Sequence, residues 1–254
     1  MIAPKALLSL YHAALKKSFE HLVRNWLLLP LSVAAYLVYQ LALAFLAPLG
    51  FGGGLLLGLV SLLLLTLYYG WLRAAANNER LRRGAILTFD YPLFSAILSV
   101  AFLLFPLSLI VHALIQSNDM VAFGMCLNLA IIILFNPVPE MVYRGEREGL
   151  EALAESYRFV LENWLEWFIP LVVVGTPILL IDSVSLISLL SQSDTFLPVH
   201  RVVVVSSSLV ATYPWLGVAI GIVLATWFML FRAALFSELY GRSRRARDFA
   251  SRAK

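Results

Sequence analysis

Four polar side chains interrupt apolar stretches of the sequence, and residues of these types can take part in ligand binding or proton transfer. They are Gln40, His112, Asn128 and Asp182. Polar groups inside such stretches are costly in a membrane and often form ligand sites or proton relays. At about 1.5 Å of helix per residue, all four fall towards the outer end of their stretches, which predicts one polar pocket. The alternative is that each lies at the wet boundary or bonds to a neighbouring helix.

A second cluster of residues interrupts a helix. The end of one apolar stretch contains Asn136, Pro137, Pro139 and Glu140. Proline lacks a backbone N–H and clashes with the preceding turn, so the helix bends or ends here. A broken helix can build an ion or substrate site. The simpler alternative is a helix terminus that leads into a loop.

The sequence lacks the motifs of familiar active sites. It contains no P-loop, no His-Glu-x-x-His and no Gly-x-Ser-x-Gly. The histidines are scattered, and none has a second ligand at helical spacing. We therefore expect no catalytic residue, no metal and no cofactor. The stretch GFGGGLLLG at 50–58 is rich in glycine, but tight turning and close helix packing explain it better than phosphate binding.

Composition shows which elements must hold these residues. Apolar residues make up 61% of the 254 residues and charged residues 13%, against about 45–50% and about 25% in a typical soluble domain. Six stretches are long enough to cross about 30 Å of hydrocarbon as helices, and none alternates as a barrel strand would. They cover residues 26–48, 53–75, 93–115, 121–143, 164–187 and 214–238. The sequence thus predicts an all-α, polytopic fold with six transmembrane helices in one membrane domain, residues 1–254.

The distribution of positive charge predicts the orientation. Eighteen of the nineteen Lys and Arg residues fall on one side: before the first stretch, after the last, in the connections after the second and fourth, or, as Arg73 and Arg232, in the adjoining halves of those stretches. Only Arg201 falls opposite. Because positively charged loops stay in the cytoplasm, both termini are predicted to be cytoplasmic. The C-terminal segment GRSRRARDFASRAK either attracts anionic lipid headgroups or only fixes the topology. Nucleic-acid binding is not expected from a basic segment that directly follows a membrane span.

The chain carries one polar-aromatic signature twice, at an offset of 138 residues: SFEHLVRNW from position 18 and SYRFVLENW from position 156. The matching residues are Ser18, Asn25, Trp26 and Ser156, Asn163, Trp164. In the first copy, positions 15, 19, 22 and 26 share a helical face, which predicts an amphipathic helix in the cytoplasmic interface. Ser18 and Asn25 share one side of that helix, where they either bond to a neighbouring helix or cap the following span.

A second echo occurs where the paired stretches return to the cytoplasm. Arg73-Ala-Ala followed by Glu79 recurs as Arg232-Ala-Ala followed by Glu238, at an offset of 159. Together the two echoes predict parallel repeats over about 10–85 and about 148–245, flanking a middle hairpin at about 90–145. The alternative is that Trp, Arg and small residues recur at any membrane border.

The run NPVPEMVYRGEREGLEALAESYRFVLENWLEWFIP resembles a border found in a broad group of bacterial six-helix integral membrane proteins. This group includes the polytopic domain fused to some glycerophosphodiester phosphodiesterases and small inner-membrane proteins of unknown role. The resemblance covers about 10–30 and about 136–175. It implies the fold, a bacterial inner-membrane location, and contact with lipids or a partner. The phosphodiesterase's catalytic domain is absent here, so no activity carries over.

Three classes of function fit these features. The first is a non-enzymatic accessory or scaffold protein in a larger membrane complex, with lipids and either a membrane-protein partner or a second copy around it. The missing catalytic motifs and short cytoplasmic loops favour it. The alternative is a transporter or lipid-handling permease with a polar site in the outer half of the membrane, which the parallel repeats favour. An intramembrane enzyme has only the resemblance in its support.

Overall fold

A computed structural model describes residues 4–81, 84, 86–117, 119–145, 147–182 and 214–240, with side chains at 7–81, 84, 86–117, 119–145, 147–174 and 219–240. The basic C-terminal segment, Arg201 and the side chain of Asp182 lie outside the described part. Within it the protein is all-helical and has no strand. Its α-helices are α1 (Pro4–Arg24), α2 (Leu28–Leu46), α3 (Gly50–Ala76), α4 (Tyr91–Gln116), α5 (Val121–Leu134), α6 (Val138–Tyr143), α7 (Gly149–Asp182) and α8 (Pro214–Leu239).

Four helical stretches among the described residues are long and apolar enough to cross a membrane. They are Leu28–Ala76, Tyr91–Gln116, Val121–Tyr143 and Ala219–Leu239. The first contains both α2 and α3, and its 49 residues are more than twice the roughly 20 that one crossing needs. Length and composition together identify an all-helical membrane protein.

The glycine-rich stretch forms the turn between α2 and α3. A short 3₁₀ segment, Ala47–Leu49, ends α2, and Gly50 then takes a φ of 61°, a left-handed conformation that side chains disfavour. A Cβ at Gly53 would lie 1.8 Å from the backbone oxygen of Leu46. Glycine at these two positions therefore lets α3 turn back against the end of α2, the role expected for this stretch.

Packing is concentrated at one end of the bundle. The buried residues of α3 run from Leu65 to Ala75 along its second half, apart from Gly53 at the turn, and those of α8 reach Leu239. The same end receives α1, which packs along α8. At the opposite end, around the α2–α3 turn, Phe51 is 85% exposed. The bundle is thus closed at the end that carries α1 and α6, and open where lipid would surround it.

Candidate functional site

The polar residues from which an outer pocket is predicted differ in how far they are buried. Gln40 is half-buried on α2, and Asn128 is buried inside the bundle on α5. His112 is exposed on α4, where its Nε2 lies 2.8 Å from Nε2 of Gln116. His112 and Asn128 therefore differ in environment, one on the surface and one inside. A pocket that unites them with Asp182 stays a prediction.

The break expected near Asn136 is present. Helix α5 ends at Leu134, a turn follows, and α6 begins at Val138. The end of a helix leaves carbonyl groups without intrahelical partners, and the Ser156 hydroxyl donates a 2.7 Å hydrogen bond to the Leu134 carbonyl oxygen. A residue of the repeated signature thus stabilises the break.

Immediately after the break, Glu140 forms a buried ion pair with Arg232 of α8. Arg232 Nε donates to Glu140 Oε1 at 2.7 Å, and Arg232 Nη2 donates to Oε2 at 2.8 Å. Glu140 is fully buried, and Arg232 is 8% exposed. Two parallel bonds of this kind form the strongest and most directional Arg–carboxylate geometry. The pair therefore joins α6 to α8 with a fixed orientation.

Asn136 and Trp167 complete the surroundings of the guanidinium group. Arg232 Nη2 also donates to the Asn136 backbone oxygen at 2.7 Å. The Trp167 indole N–H donates to Asn136 Oδ1 at 2.9 Å, and its ring lies 4.9 Å from Arg232 Cζ. This distance places the cation over the aromatic ring. Asn136 thus fixes the guanidinium through its backbone and the indole through its side chain.

Part of the hydrogen-bonding capacity of this cluster is not used by the described residues. A guanidinium has five N–H donors, of which Nε and Nη2 bond to Glu140 and Asn136. Neither the two N–H groups of Arg232 Nη1 nor Asn136 Nδ2 has a hydrogen-bond acceptor in the described part of the chain. The cluster therefore offers N–H donors that a bound molecule can use.

A cavity of about 110 Å³ adjoins this cluster. Helices α4 and α5 supply most of its apolar wall, including Val100, Leu104 and Ile132. The polar side chains among its lining residues are Tyr69, Asn136 and Arg232. The two residues that carry the unused N–H donors, Arg232 and Asn136, are thus part of a wall that is otherwise mostly apolar.

The paired residues of the repeated signature share their environments. Ser18 and Ser156 are both fully buried, and Asn25 and Asn163 are 2% and 3% exposed. Each Asn marks a change of helix direction: α1 ends just before Asn25, and Asn163 has non-helical angles within α7. Asn25 and Asn163 thus lie where each amphipathic segment meets an apolar one.

Of the two alternatives left open by the sequence, bonding outside the residue's own helix is observed at Asn25, and α2 begins without a side-chain cap. Asn25 Oδ1 accepts from the Leu81 backbone N–H at 3.0 Å, which ties it to the segment after α3. Asn163 Nδ2 donates to the Phe159 oxygen of its own helix at 3.1 Å. Ser18 bonds to Leu15 within α1. Bonding to a neighbouring segment is therefore observed at Asn25 and Ser156, and local bonding at Asn163 and Ser18.

Two groups on α1 have shifted pKa values. Burial, aided by the negative charge of Glu166, raises the pKa of Tyr11 to about 12, and its hydroxyl donates to the Glu166 backbone oxygen at 3.0 Å. Burial lowers the pKa of His21, with a further lowering by Lys17 and an opposing effect of Glu20. Both groups are therefore uncharged at neutral pH.

Sequence reasoning identified Asn136 and Glu140 but missed Arg232 and Trp167. Arg232 was counted with the positively charged loop residues, whereas it lies inside α8, seven residues or about 10 Å from the last helical residue. Its position within the predicted span at 214–238 was the available signal, because an arginine inside a span requires a partner.

No protein-family model, curated protein or solved structure matches this chain. The resemblance to the six-helix bacterial group therefore stays a prediction. Among the described residues, no group of three or more His, Cys, Asp or Glu side chains is placed to hold a metal ion.

Proposed function

We propose that this chain is a non-enzymatic, lipid-handling protein of the bacterial inner membrane, with six spans and cytoplasmic termini. The cavity beside Arg232 carries the proposal, because it joins an apolar wall to polar groups fixed inside the bundle. Lipid handling is the alternative function drawn from the sequence. The site proposed here lies near α6 and not in the outer half of the membrane.

The six-span topology rests on the helices themselves. In the proposed topology, five crossings are α2, α3, α4, α8 and the joined α5–α6 stretch, all of which lie in or contain an apolar stretch long enough to span a membrane. The sixth is the second half of α7, which is not one of those stretches in the described part of the chain. A fluorescent protein fused after Lys254 should fluoresce, and one inserted at Asp119 should not, because that fluorophore matures in the cytoplasm. Alkaline phosphatase at the same positions should give the reverse result. Phosphatase activity at Lys254 would contradict the topology.

Two exposed apolar stripes support parallel repeats with interfacial helices. Their residues are Phe19, Val23, Trp26 and Tyr157, Leu161, Trp164, all between 46% and 74% exposed. In each stripe the first two residues are spaced i, i+4 and share one helix face, and the Trp follows just after the end of α1 or the non-helical Asn163. The stripes match at the offset of 138, and Trp and Tyr favour the membrane–water boundary. Each stripe is thus suited to insertion among cytoplasmic-leaflet headgroups.

Cavity size supports binding of part of a lipid. An apolar cavity of about 150 Å³ binds benzene, and this cavity measures about 110 Å³. It therefore holds a short segment of an acyl chain, while the rest of the molecule stays in the bilayer. Residues such as Ile132 and Leu104 are half-buried, so the wall between α4 and α5 is open to the surroundings.

Native mass spectrometry on protein gently extracted from its own membrane tests this proposal. Ile132→Trp fills the cavity, whereas Ile133→Trp adds the same ring on an exposed neighbour that does not line it. We expect a defined lipid on the wild type and on I133W, with at least a tenfold lower affinity for I132W, or about 1.4 kcal/mol. Equal lipid occupancy of the two variants would refute lipid binding in this cavity.

The accessory-subunit role is a second candidate, and the open end of the α2–α3 hairpin favours it. Gly54 and Gly58 lie four residues apart on α3, and no atom would lie within 4 Å of a Cβ at either. Two small residues at this spacing allow close approach of another helix in a membrane. In the same mass spectra, a stoichiometric protein partner that Gly58→Leu releases would establish this role.

A further inference from the structure

We infer that the ligand of the cavity is an uncharged amphiphile, an acyl ester, whose carbonyl oxygen accepts hydrogen bonds from Arg232 Nη1. This inference rests on the proposed lipid-handling function and specifies its ligand. Its basis is the juxtaposition of an apolar wall, a neutralised guanidinium and donors without an acceptor.

Charge excludes an anionic ligand. Glu140 binds Arg232 through both carboxylate oxygens and is itself fully buried, so the pair has no net charge. A carboxylate or phosphate beside it would add a third buried charge close to Glu140 and without a cation of its own. Buried charges without a partner are strongly unfavourable. An unpaired arginine next to an apolar cavity would favour an anionic ligand. Because Glu140 neutralises Arg232, an uncharged ligand is favoured here.

Hydrogen-bonding capacity defines the complementary atom. Because Asn136 Oδ1 accepts from Trp167, its amide nitrogen is left as a donor. The unused groups of Arg232 and Asn136 at the cavity are therefore both N–H donors. Both residues line a cavity whose other walls are mostly apolar, so a bound ligand gains most by supplying an acceptor oxygen and needs no donor. An ester carbonyl meets this requirement, and a plain hydrocarbon does not.

The apolar wall of the cavity indicates the rest of the ligand. The rest of the cavity wall consists mainly of apolar side chains from α4, α5 and α6 and of Phe135 in the turn after α5, with Leu104 among those of α4. These favour methylene groups through burial of apolar surface. The ligand thus presents its carbonyl to Arg232 and its chain to α4 and α5.

Three probes of equal chain length test the inference on the full-length protein in detergent. They are methyl dodecanoate, dodecane, and dodecanoate at a pH where it is ionised, each titrated by native mass spectrometry. We expect the wild type to bind methyl dodecanoate at least tenfold more tightly than the other two. The double variant E140M/R232M keeps the volume of the pair with apolar groups, so it should fold. Because only the Asn136 amide donor then remains, the variant's preference for the ester over dodecane should fall well below that of the wild type.

The outcomes separate this inference from the proposed function. Tighter binding of dodecanoate than of the ester, or an ester preference as strong in E140M/R232M as in the wild type, would overturn the inference and leave lipid binding intact. Failure of the wild type to bind any probe, or equal binding by I132W and I133W, would overturn the proposed function and the inference with it.

Discussion

At the scale of single residues, the Glu140–Arg232 pair stabilises the protein only while both partners are present. Removing one partner of a buried ion pair typically costs about 3–5 kcal/mol, whereas replacing both with apolar residues of similar volume is often neutral. We expect Arg232→Met and Glu140→Met each to lower the unfolding free energy by about 3–5 kcal/mol. The double variant should return within about 1 kcal/mol of the wild type. Denaturation by SDS in mixed micelles, followed by circular dichroism, measures these differences.

The matched control for this cycle is Arg73, which precedes the same Ala-Ala dipeptide earlier in the chain. Arg73 pairs with Asp90 nearer the surface, where the two side chains are 36% and 23% exposed. Exposed ion pairs contribute about 0–1 kcal/mol, so Arg73→Met should cost about 1 kcal/mol or less. A cost for Arg232→Met no larger than that for Arg73→Met would contradict the buried, bidentate geometry.

His21 makes stability depend on pH in the weakly acidic range. Its Nδ1 is buried without a hydrogen-bond partner among the described residues, and its pKa lies below the usual 6.5. The unfolded chain therefore binds the proton more tightly, and stability falls as the pH drops from about 6.5 through the folded pKa. We expect His21→Gln to reduce this fall and His12→Gln, at an exposed site of the same helix, to leave it unchanged. Unfolding titrations at several pH values provide the measurement, and an unchanged fall in H21Q would contradict the assignment.

The candidate site could be predicted only in part. Asn136 and Glu140 lie within five residues around prolines, so a local pattern revealed them. The partner Arg232 lies 92 residues away from Glu140, and neither charge nor spacing connects positions so distant. Trp167 also lies far from Arg232 in the sequence, and its position over the guanidinium depends on how α7 packs against α8. Such contacts are properties of the tertiary structure and cannot be inferred from a single sequence.

At the scale of helices, sequence was a better guide. The ends of α2, α3, α4 and α8 lie within three residues of the predicted spans, because apolar length is a local property. Proline likewise located the break after α5. The docking of α1 along α8 was not predicted, since hydrophobic periodicity shows which face is apolar but not what covers it. Leu15 and Leu22 of the predicted face are half-buried, while Phe19 and Trp26 are exposed.

The α2–α3 turn allows a test with two adjacent glycines. A Cβ at Gly53 would lie 1.8 Å from Leu46 O, whereas one at Gly54 would have no atom within 4 Å. Overpacking of this kind costs about 1–3 kcal/mol, so Gly53→Ala should lower the unfolding free energy by that amount. Gly54→Ala should be neutral or stabilising by up to about 1 kcal/mol, because alanine favours helix. Equal effects of the two substitutions on SDS unfolding would refute the close contact.

At the scale of the whole molecule, the bundle is closed at one end by contacts between its first and last helices. Helix α1 lies along α8, Ala14 is fully buried, and Phe19 contacts Trp227 with ring centroids 5.6 Å apart. The ion pair of Glu140 and Arg232 lies at the same end. The described α2–α3 turn at the other end exposes its apolar residues. In the proposed topology, this asymmetry would place the fixed contacts near the cytoplasm and the lipid-exposed residues in the outer half.

Closure of the bundle by α1 predicts a specific chemical cross-link. Lys17 Nζ on α1 forms an ion pair with Glu238 Oε1 near the end of α8. A water-soluble carbodiimide condenses such an amine and carboxylate to an amide with loss of water, without a spacer. We expect mass spectrometry of the digested protein to find Lys17 joined to Glu238. Lys17→Gln should abolish the link, and the adjacent Lys16 should not replace it, because consecutive residues of a helix point about 100° apart. A link from Lys16 to Glu238 in the wild type, as abundant as that from Lys17, would show that α1 does not hold this orientation on α8 and that the closed end of the bundle opens in solution.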